Sequence, residues 1–165
     1  PAGFLQSVNS AFIIIFSPIF ASLWIWLSAR NANPSIPAKF GLGLLGLSTG
    51  FFVIAWGAVN ASLSPVSPAW LVVMYFFFTV GELALSPVGL SSVTKLAPAG
   101  RIGQMMGIWF VATALGNLFA GLVAGSLETL QPFALFRTVA IITGAFGILA
   151  LIVSRSVNKL TGDIR

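Results

Sequence analysis

The sequence contains no cysteine and no histidine. That excludes disulfides, Cys/His metal sites, thiolate nucleophiles and imidazole bases together. Charge is almost as scarce. Only 7% of the 165 residues are charged, whereas soluble domains carry about a quarter. The acidic residues number three, Glu82, Glu128 and Asp163. No nucleophile–base pair or metal-ligand constellation can be assembled from such a set, so neither an enzyme nor a cofactor is expected. The net charge of +5 and the isoelectric point near 10.9 would suggest nucleic acid in a soluble protein. Here the basic residues stand singly between apolar runs, with no clustered face, and no nucleic-acid partner is expected. The opening PAGFLQSVN has no initiator methionine and no basic n-region, so no cleavable signal peptide is expected.

What is abundant is apolar. Hydrophobic residues make up 58% of the chain, with fifteen phenylalanines and five tryptophans, and the mean hydropathy is +1.03. This composition predicts an all-α polytopic membrane protein with the lipid bilayer as its surroundings. Five apolar segments cover about residues 4–27, 40–59, 69–90, 104–124 and 138–153. Each is near the length of about 20 residues that crosses a bilayer as a helix. An open sheet could not satisfy its backbone in lipid, and barrel strands would alternate, which these segments do not. The connectors are turn-rich: RNANPSIPAK at Arg30–Lys39, NASLSPVSP at Asn60–Pro68, KLAPAGR at Lys95–Arg101, and the stretch Gly125–Pro132 with Glu128.

Charge then sets orientation. Arg30 and Lys39 follow the first span, Lys95 and Arg101 the third, and Arg155, Lys159 and Arg165 the fifth. With five spans all of these fall on one side, and only Arg137 falls on the other. The positive-inside rule puts the basic side and the C-terminus in the cytoplasm, and the N-terminus outside. Five spans with an external, uncharged N-terminus is an unusual design for a complete protein, so a piece of a longer one is expected.

The stretch VGELALSPVGLSSVTKLAP, Val80–Pro98, holds the one carboxylate inside a span. Glu82 lies twelve residues from Trp70 and thirteen from Lys95, about 18–20 Å from each end of a helix. A carboxylate at that depth costs about 2.5–3.5 kcal/mol on insertion scales, so it should face the bundle interior or a water-filled cavity. Ser86, at i+4, shares its face. Pro87 removes a backbone donor and loosens the helix about one turn beyond Glu82. Gly81 and Gly89 admit a close backbone or a ligand. An anion in such a pocket suits a cationic ligand or a transferable proton. The structural alternative is a glutamate held by a partner on another helix.

The stretch GELALSPVGLSSVTKLAP resembles the tenth-helix signature of the proton-dependent oligopeptide transporter family, within the major facilitator superfamily. PAGFLQSVNSAFIIIFSPIFASLW resembles the family's eighth helix, PSIPAKFGLGLLGL the entry to its ninth, and GQMMGIWFVATALGN its eleventh. The resemblance covers nearly the whole chain and implies helices eight to twelve of a twelve-helix fold. It implies that Glu82 binds the free amino group of a di- or tripeptide, that Ser86 lies beside it, that Asn9 also contacts that amino group, and that Trp109 lines a side-chain pocket. Protons would drive symport by alternating access, with the N-terminal helices of the same transporter supplying the rest of the cavity, in a bacterial inner membrane. The family's first-helix acidic and basic motif, helix-four lysine and helix-seven proton site would all precede Pro1. Glu82 therefore reads as a ligand-binding group rather than the proton carrier.

Each of these residues also has a plainer reading. Asn9 also reads as a cap or a bond between helices, because only a steep tilt would bring it level with Glu82. Trp109 also reads as part of an interfacial aromatic belt, and Trp24, Trp26, Trp56 and Trp70 read as belt or packing residues. Gln6 reads as an interfacial polar residue. Asn117 could bond across helices. Ala112, Gly116, Ala120 and Ala124 form a small-residue stripe suited to packing another helix. Spans two and five lack deep charges and read as outer helices. Two other functions stay open: a symporter of another amine-bearing solute on the same fold, and a membrane scaffold that transports nothing.

Overall fold

The computed structural model describes residues 2–61, 67–125 and 131–161, with side chains described for 7–61, 67–125 and 131–157. Glu128, Asp163 and Arg165, and the side chains of Gln6 and Lys159, lie outside these ranges. Five helices follow one another: α1 (Ala2–Ala29), α2 (Ile36–Ala61), α3 (Ala69–Leu96), α4 (Ile102–Gly125) and α5 (Pro132–Thr161). All five are long and apolar enough to cross a membrane, and the chain is an integral membrane protein. The helices run past the apolar segments because polar residues such as Thr94, Lys95, Arg137 and Arg155 continue the helical hydrogen bonding at the ends.

The ends follow from local chemistry. Asn31 closes α1 in the left-handed conformation, at φ 54°. Ala32 N–H donates to the Leu27 carbonyl at 2.9 Å and Asn31 N–H to the Ser28 carbonyl at 3.1 Å, the Schellman pattern with asparagine in the usual glycine position. Lys39 was expected in the connector but lies in the first turn of α2, where its N–H donates to the Ser35 carbonyl. Pro37 does not prevent this, since a first-turn N–H has no helical partner to lose. Ala97 is extended, with ψ 134°, as a residue before proline prefers, and Pro98 ends α3 there.

Helix α2 packs most extensively on α5 and next on α3; α1 rests on α3, and α4 touches α3 more lightly. Glycine brings the backbones together. A Cβ on Gly43 would lie 2.8 Å from the Gly81 carbonyl, and one on Gly41 would lie 2.9 Å from the Gly147 carbonyl. Small residues at such crossings let dispersion contacts form where lipid supplies no hydrophobic drive. Ser48 adds a buried bond across α2–α5, its hydroxyl donating to the Ala140 carbonyl at 2.7 Å. Helix α2 is flanked by α3 and α5, and Leu42, Phe52 and Trp56 on its remaining face are exposed. Helix α4 has no buried residue, and nothing described lies within 4 Å of a Cβ built on Gly103, Gly107, Gly116 or Gly121. Its small-residue stripe therefore meets no described partner apart from Ala112, which shares a cavity with Trp109.

Pairing along the helices shows the bundle's ends. Lys39 near the start of α2 and Lys95 near the end of α3 line one cavity. Helix α5 runs antiparallel to α2, Gly147 meeting Gly41 while Gly144 meets Ser48, so Arg155 lies toward the Lys39 end. Arg137 lines a cavity with Ala55 and Val59 near the far end of α2.

Candidate functional site

Glu82 stands 13 residues after Ala69 and 14 before Leu96 in α3, about 20 Å from either end. Helix α3 continues unbroken through Pro87. Proline has no N–H to offer the Leu83 carbonyl one turn earlier, which leaves that carbonyl's helical acceptor site open beside Glu82.

The neighbours of α3 leave Glu82 itself uncovered. Helix α1 meets one flank, where Phe12 and Phe16 place their rings 6.3 and 5.5 Å from that of Phe76. Helix α2 meets the other flank, its glycines lying against Gly81 and Leu85. Glu82 projects between them and is exposed, as is Ser86. Among the described residues no basic side chain pairs with the Glu82 carboxylate. Ser86 also keeps its hydroxyl free of the backbone among the described residues, whereas Ser92 donates to the Val88 carbonyl and Thr94 to that of Ser91. A bare carboxylate and an unengaged hydroxyl one turn apart offer acceptors to a cation.

The structure brings Asn9 to this site through a residue the sequence reading passed over. The Thr79 hydroxyl donates to Asn9 Oδ1 at 2.8 Å, and Thr79 is fully buried, at 0% exposure. Thr79 precedes Glu82 by three residues, about 4.5 Å along the axis and on an adjoining side of the helix. Asn9 is thus a bond between helices, as its plainer reading held, and also within about a turn of Glu82. Its Oδ1 has a second lone pair and its amide group two donors. A lone threonine among AWLVVMYFFFT was the available sequence signal, since a hydroxyl buried in an apolar helix needs an acceptor.

Trp109 crosses from α4 onto α3, its ring lying over Gly89 beside Phe40. Gly89 follows Glu82 by seven residues, nearly two turns, so the ring covers the same strip about 10 Å nearer the basic end. A cavity of about 440 Å³ opens around it, lined by Phe40, Gly89, Val93, Met105 and Ala112 among others. The room that Gly81 and Gly89 leave is thus filled by this chain's own α2 backbone and indole. Asn117 is exposed on α4. Trp70 packs on Gly57, Trp26 lies under Arg30 at 4.1 Å and Trp24 under Lys39 at 4.8 Å.

The arrangement is that of a polytopic membrane protein with an exposed carboxylate at the middle of a membrane-length helix. The chain belongs to the POT family, which it matches over residues 1–139. It is 42% identical over 134 residues to a peptide transporter of Yersinia enterocolitica, covering 79% of this chain and 26% of that protein. It is 37% identical over 161 residues to a di-/tripeptide transporter of Lactococcus lactis, covering 97% of this chain and 32% of that protein. Among solved structures it is similar to a mutant of a POT peptide transporter in complex with alafosfalin, with TM-score 0.80 and 40% identity over 94% of this chain and 32% of that one. A POT family transporter in complex with a thioalcohol-conjugated peptide gives TM-score 0.84 at 26% identity, over 92% of this chain and 31% of that one. The chain covers between 26% and 32% of the length of these relatives.

Proposed function

We propose that this chain supplies one wall of the ligand cavity of a proton-coupled symporter of di- and tripeptides. The observation that carries the reading is Glu82: a carboxylate at the middle of a membrane-length helix, exposed between α1 and α2 and unpaired among the described residues. In this role its carboxylate receives the peptide's ammonium group. The Ser86 hydroxyl and Asn9 Oδ1 add neutral acceptors, and the wall around Trp109 accommodates side chains of varied shape. The remaining helices of the twelve-helix transporter supply the opposite wall and the proton-coupling groups. The two halves rock about the central site, and protons moving down their gradient drive uptake. The location is a bacterial inner membrane, with the basic end of the bundle and the C-terminus in the cytoplasm; five of the six described basic side chains lie toward that end, Arg137 excepted.

The test is uptake of a labelled dipeptide by the complete protein carrying this chain, in proteoliposomes with and without an inward proton gradient. Breaking one partner of a desolvated charge pair costs about 2 kcal/mol or more, so Glu82→Gln should weaken peptide binding by at least about thirty-fold. Gradient-driven uptake by the wild type that collapses in Glu82→Gln supports the reading. A folded wild type that takes up no dipeptide overturns it.

A further inference from the structure

A second cavity lies on the opposite side of α3. It measures about 160 Å³, and its lining includes Trp24 of α1, Lys39 of α2, and Ser91, Ser92 and Lys95 of α3. Ser91 follows Glu82 by nine residues, two and a half turns, and so points away from the groove. The two sites are separated by the thickness of the helix.

We propose that this cavity binds a phosphate oxyanion. Lys39 is the main reason. It is 5% exposed, and burying an ammonium is costly unless it is paired. Among the described residues its compensation is the Trp24 ring face, 4.8 Å from Nζ, while Lys95 repels it. Glu82, the one acid whose side chain is described, is on the far side of the helix. A cation–π contact leaves ammonium protons unused, so Lys39 has both charge and donors to give. Lys95 stands one turn after Ser91 on the same face of α3, and both are exposed, which opens the cavity outward. The Ser91 hydroxyl makes no hydrogen bond among the described residues, whereas that of Ser92 is held by the Val88 carbonyl.

A tetrahedral oxyanion meets all of these needs. It bridges two ammonium groups that otherwise repel, and it offers oxygens to the Ser91 hydroxyl as well. The volume has room for about five waters, enough for the anion and part of its hydration. Lys39 lies in the first turn of α2 and Lys95 in the last turn of α3, the depth at which lipid phosphates sit. Basic pockets between transmembrane helices at that level take anionic headgroups. A free phosphate presents the same chemistry.

The experiment uses the complete protein carrying this chain, delipidated in detergent and read by native mass spectrometry. The probes are dioctanoyl phosphatidylglycerol, dioctanoyl phosphatidylcholine and inorganic phosphate. Phosphatidylglycerol should bind about ten-fold more tightly than phosphatidylcholine, and Lys39→Gln and Lys95→Gln should each weaken it about ten-fold, as loss of one charge-assisted bond requires. Arg101→Gln, on the neighbouring connector but outside the cavity, should leave binding unchanged. If inorganic phosphate binds alone and displaces the lipid, the source is the free ion; if only the lipid binds, it is a headgroup. Binding of neither phosphatidylglycerol nor phosphate, or undiminished binding by the variants, overturns the proposal. Should Lys39→Gln fail to fold, the exposed Lys95→Gln decides alone.

Discussion

Gly81 is the residue at which packing and the proposed ligand site meet, and Gly81→Ala is the sharpest perturbation available. A Cβ there would lie 2.7 Å from the Gly43 carbonyl oxygen, 3.0 Å from Leu47 Cγ and 3.1 Å from Leu47 N. An ordinary carbon–oxygen approach is about 3.3 Å, so α2 and α3 must separate by roughly half an ångström. Two of the three obstacles are backbone atoms, which cannot rotate away. Overpacking of this kind costs about 1–3 kcal/mol, offset in part by alanine's higher helix propensity, worth about 0.8–1 kcal/mol in soluble helices. The net expectation is destabilisation, read as a lower unfolding midpoint of the complete protein in detergent. Because Glu82 is the next residue, the same displacement should raise the KM for dipeptide uptake. Gly103→Ala is the matched control: nothing described lies within 4 Å of its Cβ, so propensity acts alone and the midpoint should hold or rise. A Gly81→Ala protein as stable as the wild type would refute the close α2–α3 crossing and the placement of Glu82 that depends on it.

Other perturbations address single contacts. Thr79→Val removes the donor to Asn9 Oδ1 while keeping the shape; a double-mutant cycle with Asn9→Ala should give a coupling of about 0.6–1.7 kcal/mol in unfolding free energy, and additive effects would dismiss the bond. Gly89→Ala should displace the Trp109 ring, seen as a shift in tryptophan emission with a smaller stability loss than Gly81→Ala, because a side chain moves where a backbone cannot. Ser48→Ala deletes the 2.7 Å bond to the Ala140 carbonyl and should cost about 0.5–1.5 kcal/mol without altering the KM for peptide; a changed KM would mean that α5 reaches the ligand site.

The sequence by itself determined the fold class, because unpaired backbone is intolerable in lipid and an apolar run of membrane length can only be helical. It determined the candidate carboxylate for the same reason: an acid at mid-span is too costly to be incidental. It placed Ser86 with Glu82, since spacing along one helix is a local property. Lys39 was legible as a basic residue but not as a buried one, because its burial depends on Trp24 and α3 closing over the start of α2. Asn9 was ambiguous until Thr79, 70 residues away, was seen to hold it. The openings that Gly81 and Gly89 suggested could have held a ligand; only the packed helices show the α2 backbone in one and an indole in the other. Tertiary structure alone decided that α3 carries two distinct faces, a carboxylate groove between α1 and α2 and a lysine-lined cavity behind it. Helical periodicity fixes which residues share a face, but which faces are covered depends on how separate helices cross, and that geometry is set by contacts between residues far apart in the chain.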